Sequence, residues 1–182
     1  MIEIPVPHSV WLDLVTSRKL VSLQAWRSSW IESLEWHPAR LDTGIAHHNR
    51  ALLQGLVGEW ALNFWWFDGD ERPFWERSVP AQGDGGSDLA SGELVNVKTM
   101  HQRVVDANPL EFHLLIPQRE IRRGTFHVFC ILSTDRSMAR LMGWTRAWDW
   151  AGECFHLGKR GEINAHVSAW KLHPMDTLRA CL

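Results

Sequence analysis

Four side chains have the types and the order that phosphodiester hydrolysis requires. Asp88 follows the glycine-rich stretch Pro80-Ala-Gln-Gly-Asp-Gly-Gly-Ser87, Asn96 and Lys98 lie two residues apart in an apolar run, and Glu59 sits upstream among helix-forming residues. Cleaving a phosphodiester calls for a divalent ion beside the phosphate, which polarises it and lowers the pKa of an attacking water. Magnesium, or manganese in its place, takes oxygen ligands, usually one or two carboxylates completed by waters and substrate oxygens. A nearby lysine can hold the water or stabilise charge that develops in the transition state. Asp88, Glu59 and Asn96 would be the metal ligands of such a site and Lys98 its cation.

These residues need elements that position them. From about Thr43 to Trp66, Leu53, Val57, Trp60 and Phe64 form one apolar helical stripe, widened by Leu52 and Leu56. Glu59 comes three residues after Leu56, so it falls near the buried edge of this helix, where a carboxylate needs a partner. Leu94–Thr99 alternates as a strand, with Leu94, Asn96 and Lys98 on one face and Glu93, Val95 and Val97 on the other. The plainer reading makes Glu59 a salt-bridged or capping residue, Asp88 the cap of a turn and Lys98 a solvated strand-end charge.

In this order the residues resemble the core of the PD-(D/E)xK, or restriction-endonuclease-like, nuclease superfamily. That pattern runs from a helical glutamate to an aspartate, and about eight residues later to an acid-x-lysine on a strand. Gly58-Glu59-Trp60-Ala61 is similar to the helical motif, Asp88 matches the aspartate, and Asn96-Val97-Lys98-Thr99 stands at the acid-x-lysine position. Leu114–Pro117, Phe126–Leu132 and Leu141–Thr145 resemble later elements of small phage and mobile-element members, so the likeness spans roughly 43–178 and leaves 1–42 outside. It implies a Mg2+- or Mn2+-dependent deoxyribonuclease acting on DNA, with Lys98, Asp88, Glu59 and Asn96 as catalytic residues and Asp88, Asn96 and Glu59 on the metal.

Asn96 departs from the pattern, because its amide oxygen is a weaker ligand than a carboxylate. Three readings are open. Asn96 serves as a weak ligand while Asp88 and Glu59 supply the charge. Alternatively Glu93 takes its place, which requires a bulge to bring it to the same face. Or the site is inactive, and a degraded nuclease fold serves as a DNA- or protein-binding module. Fold likeness alone does not choose among these.

Other features set the surroundings. His101, Arg103, Arg122 and Arg123 are candidate nucleic-acid contacts, with His101 placed to shuttle a proton or meet a phosphate. His113 and His127 lie in apolar runs and read as core residues, and the adjacent His47 and His48 point to different helix faces and make a poor chelate. There is no HExxH motif, P-loop, GxSxG elbow or dinucleotide fingerprint. The net charge of −2 does not announce a nucleic-acid binder. However, residues 1–97 carry seven basic and thirteen acidic side chains, a balance of −6, and residues 98–160 carry ten and six, a balance of +4. Arg119, Arg122, Arg123, Arg136, Arg140, Arg146, Lys159 and Arg160 would meet phosphates if they gathered on one face. The twelve tryptophans read mostly as packing anchors, with Trp144, Trp148 and Trp150 as candidates for base stacking.

Three scattered cysteines, Cys130, Cys154 and Cys181, give no CxxC pair, so they read as small packing residues in a reducing cytoplasm. The start, Met-Ile-Glu-Ile-Pro-Val-Pro, does not resemble a signal peptide, and no apolar run is long enough to span a membrane. The expected organisation is an N-terminal helical arm over 1–42 and a core over 43–182. Within the arm, 9–35 is helical with Ser9 as N-cap, and its tryptophan-rich surface is suited to a homodimer or a protein partner. In the core, Phe74–Val79 reads as a strand and Phe112–Ile116 as a short apolar segment. Phe126–Leu132 and Met138–Trp144 read as a hairpin, Trp144–Trp148 as a short helix capped by Thr145, 151–171 as irregular and Pro174–Arg179 as a closing helix. The expected fold class is α/β (α+β): a restriction-endonuclease-like core with a mixed central sheet flanked by helices.

Overall fold

The computed structural model describes residues 1–17, 41–76, 87–107, 113–117, 125–150, 155–157, 163–168 and 171–182. The chain forms a mixed α/β structure around a four-stranded sheet. Its strands are β1 (Ile2–Pro5), β2 (Val95–His101), β4 (Phe126–Leu132) and β5 (Met138–Arg146), in the order β1-β5-β4-β2. β1 and β4 run antiparallel to β5, and β2 runs parallel to β4. A second sheet holds β3 (His113–Pro117), β6 (Phe155–Leu157) and β7 (Ile163–Ser168), in the order β3-β7-β6. The helices are α1 (His8–Thr16), α2 (Leu41–Trp66), α3 (Arg72–Glu76) and α4 (Gln102–Ala107), with 3-10 turns at Ala147–Trp150 and Met175–Ala180.

Helix α2 covers one face of the four-stranded sheet. Leu52, Leu56, Val57, Trp60 and Ala61 pack with Val95 and Val97 of β2, Val128 and Cys130 of β4, and Leu141 of β5. The helix comes close at Gly58, where any Cβ would overlap the Thr99 hydroxyl and lie 3.1 Å from Val97 Cγ1. At the C-terminal end of α2, the Arg179 guanidinium donates to the carbonyls of Trp65 (2.6 Å) and Trp66 (2.8 Å) and to Asp68 Oδ1 (2.8 Å). It thereby meets carbonyls that the helix itself leaves unpaired. On the opposite face, Phe129 and Ile131 pack with Ile116 of β3 and with Ala147.

A bulge in β5 sets its facing. The register passes from Phe129↔Gly143 to Cys130↔Leu141, so Met142 is the extra residue. Leu141 and Trp144, three residues apart, therefore both point to the α2 side, which strict alternation would forbid.

Several expectations change. Residues 72–76 are helical rather than part of a strand, because Arg72-Pro73 opens a turn of helix above Glu71, whose carboxylate accepts from Trp60 Nε1 at 2.9 Å. The stretch expected to be irregular contains β6 and β7, which become strands by pairing with each other and with β3. β5 continues through Arg146, so Thr145 is a buried strand residue rather than a helix cap. Helix α1 begins at His8, after Pro7, and Ser9 does not cap it. Residues 1–17 are built into the core: β1 pairs with β5, and Ile4, Val6, Val10 and Leu14 join the same apolar cluster as α2. The rest of the expected arm, 18–40, lies outside the described residues, as does Cys154. Cys130 is a buried packing residue whose thiol is pushed up to about 12 by burial, whereas Cys181 is exposed. Among the described residues, no helix is long and apolar enough to cross a membrane.

Candidate functional site

The site is built on the N-terminal half of β2, at the edge of the sheet. On its inner side, Asn96 lies in register with His127, and Lys98 with Phe129. On its outer side the chain at Asp88 acts as a partial strand. The Asp88 N–H donates to Val95 O at 2.6 Å, and the Val97 N–H donates to Asp88 Oδ2 at 2.5 Å. A carboxylate thus replaces the carbonyl that another strand would have offered, and Asp88 is held, buried, against the peptide between Asn96 and Lys98.

Asn63 joins this edge to α2. Its Nδ2 donates to Glu59 O (2.7 Å) and Asp88 O (2.9 Å), and its Oδ1 accepts from Ala90 N–H (2.8 Å). Fully buried, it ties the helical turn of Glu59 to the Asp88 loop. The sequence reading missed it; the signal was a polar residue in line with the apolar stripe of an otherwise amphipathic helix. Glu59 is half-buried one turn earlier, immediately after the close contact at Gly58.

The faces of β2 differ from a simple convergence of all four residues. Val97 and Thr99 meet α2, the helix that carries Glu59. Asn96 and Lys98 alternate to the other face with Met100, which packs against the Phe129 cluster. Asp88, at the strand edge, lies between the two sides. Glu93 lies before β2, which begins at Val95, and so is not part of the strand that carries Asn96 and Lys98. Glu93 instead accepts a bond from the Ser91 hydroxyl in the turn before the strand.

On the Asn96 side, His127 is fully buried and in register with both Asn96 and Thr145. Burial, and then the positive charge of Lys98, hold its imidazole down to about 3, so it is neutral at physiological pH. A buried core histidine was expected here; its electrostatic link to Lys98 was not legible, because it depends on strand pairing.

Of the proposed nucleic-acid contacts, His101 and Arg103 fall among the described residues, at the end of β2 and in α4. His101 ends β2 on the alternate face to Lys98, and its Nδ1 accepts from the Arg103 N–H at 3.3 Å. Arg122 and Arg123 lie outside the described residues. Of the wider basic series, Arg140 pairs with Glu3 at 2.8 Å, while Arg136 and Arg146 flank opposite ends of β5 and so do not share a patch. Among the described residues no group of three or more His, Cys, Asp and Glu side chains is arranged to hold a metal ion. The predicted set contributes two carboxylates and draws its third oxygen from an amide. Comparison with known protein families, curated sequences and solved structures finds no match to this chain.

Proposed function

We propose that the chain is a Mg2+- or Mn2+-dependent nuclease acting on DNA, with a restriction-endonuclease-like arrangement at the β2 edge. The observation that carries this reading is the 2.5 Å bond from Val97 N–H to Asp88 Oδ2, which brings the aspartate against the strand segment bearing Asn96 and Lys98. Asn63 adds support by tying the Glu59 turn to the same loop. In this reading Asp88 and Glu59 bind the metal and Asn96 adds a neutral oxygen. Lys98 orients the attacking water or stabilises phosphate charge. The bound ion would supply an activated water, and the chain would supply its position. Purified protein should nick or degrade DNA when manganese is added, and Lys98→Ala should abolish the cleavage. Cleavage that survives Lys98→Ala sinks this assignment.

A non-catalytic DNA- or protein-binding module is the second reading. It is favoured by the packing of the Glu59 helix on the Val97 and Thr99 face, opposite Asn96 and Lys98. Asn96→Asp separates the two. A weak enzyme gains activity when the missing acid is supplied, whereas a binding module remains silent.

A further inference from the structure

Arginines that the structure pairs with acids include Arg72 with Asp70 (2.7 Å), Arg140 with Glu3 (2.8 Å) and Arg179 with Asp68 (2.8 Å). Arg146 differs from these. Its guanidinium carbon lies 4.9 Å from the Phe126 ring centre and 4.7 Å from that of Trp148, so two aromatic rings hold it in place. It has no acid partner among the described residues, and its Nε is buried without a hydrogen bond among them. A planar cation fixed in this way has lost much of its side-chain freedom before any ligand arrives, which favours binding of an anion.

Trp148 supplies the second half. Trp144, four residues earlier, is buried, and its Nε1 donates to Pro174 O (2.9 Å) and Thr177 Oγ1 (3.0 Å), so it serves packing. Trp148 is 53% exposed even with Arg146 against its ring. A single exposed tryptophan is ordinary; one stacked on an arginine that has no acid partner among the described residues offers both a flat apolar surface and a positive charge. The backbone beneath it is anchored, because Ala147 N–H donates to Thr125 O at 2.9 Å. Phe126 is in register with both Val95 and Arg146, which puts the pair at the same end of the sheet as Asp88 and Asn96. Two strand spacings, about 10 Å, separate Arg146 from β2.

We propose that Arg146 and Trp148 form a binding site for single-stranded nucleic acid, in which a base stacks on the Trp148 indole and the neighbouring phosphate meets the Arg146 guanidinium. An unpaired strand is the fitting ligand because its bases present their faces, which a duplex keeps stacked internally. The inference rests on the nuclease reading for the class of ligand and not for any catalytic step. Exposed Asp149, next along the turn, opposes the phosphate.

The test is binding of a fluorescein-labelled oligothymidylate to the full chain in EDTA, read by anisotropy across a salt series, with thermal unfolding as the check on folding. Trp148→Ala should weaken binding about tenfold, and Trp148→Phe should keep most of it. Arg146→Ala should weaken binding and reduce the salt slope by about one, and Arg146→Lys should restore the slope more than the affinity. Asp149→Asn should tighten binding. A folded Trp148→Ala that binds like the wild type overturns the proposal, as does a wild type that binds only duplex or no nucleic acid. Metal-dependent cleavage separates the two readings. Cleavage by a wild type that ignores the oligothymidylate removes this site and leaves the nuclease standing, whereas Trp148-dependent binding without cleavage does the reverse.

Discussion

The two faces of the four-stranded sheet are built to different rules. On the α2 side, valines and leucines of three strands meet a helix that approaches so closely that Gly58 has no room for a Cβ. On the other side the same strands place Asn96, Lys98, His127 and Thr145 in neighbouring rows, beside a small cluster around Phe129 and Ile131. Apolar burial drives folding. A buried imidazole opposes it whenever water would rather protonate that group. The α2 side therefore reads as the source of stability, and the opposite side as the place where stability has been given up for polar groups.

That contrast is open to measurement. The largest expected effect is on the α2 side, where Gly58→Val drives a side chain into Thr99 and Val97. Urea denaturation should show a loss of about 3 kcal/mol. In a Thr99→Ala background, Gly58→Ala should be better tolerated than it is alone, and strict additivity of the two would count against the close contact. Thr99→Val should be nearly neutral, since the buried hydroxyl has no hydrogen-bond partner among the described residues.

The opposite face should reveal itself in acid. The His127 pKa is depressed from 6.5 to about 3, so the unfolded chain takes up a proton that the folded chain refuses. Its penalty is absent above about pH 6.5 and grows as pH falls towards 3. Between pH 6.5 and 4.5 this amounts to about 2 kcal/mol. A folded His127→Phe variant should have a flatter acid limb, and an unchanged limb would mean that the imidazole is not the group responsible.

Between the faces, Asp88 separates structure from chemistry. Asp88→Ala leaves the Val97 N–H without its acceptor and should lower stability by about 1.5 kcal/mol. Asp88→Asn retains an acceptor and should preserve much of the fold, yet it should lose metal-dependent cleavage if the carboxylate binds the ion. The smallest effect belongs to the outer end of α2. Arg179→Ala removes exposed bonds to Trp65, Trp66 and Asp68 and should lower the unfolding free energy by roughly 0.5 kcal/mol.

The sequence showed the elements with strong periodicity. The stripe of α2, the fully buried run Phe126–Leu132 and the alternation that sets Asn96 beside Lys98 were all legible, because spacing alone decides which side chains share a face. Short segments that depend on distant partners were not. β6 and β7 are strands because of the partners they find, and Arg72–Glu76 is helical in its local setting. β1 gave no warning, since four residues ending in proline become a strand only when β5 offers an edge.

For the candidate site the division falls in the same place. Sequence alone determined which groups with chemical potential exist, their order, and that the strand carries Asn96 where an acid would strengthen a metal site. The tertiary structure decided that Asp88 binds the peptide between Asn96 and Lys98, that Asn63 ties it to the Glu59 helix, and that His127 lies under the charge of Lys98. The physical reason is range. Periodicity and charge are local properties of the chain, whereas hydrogen bonds across 9 or 25 residues and the burial that shifts a pKa arise only once distant segments meet.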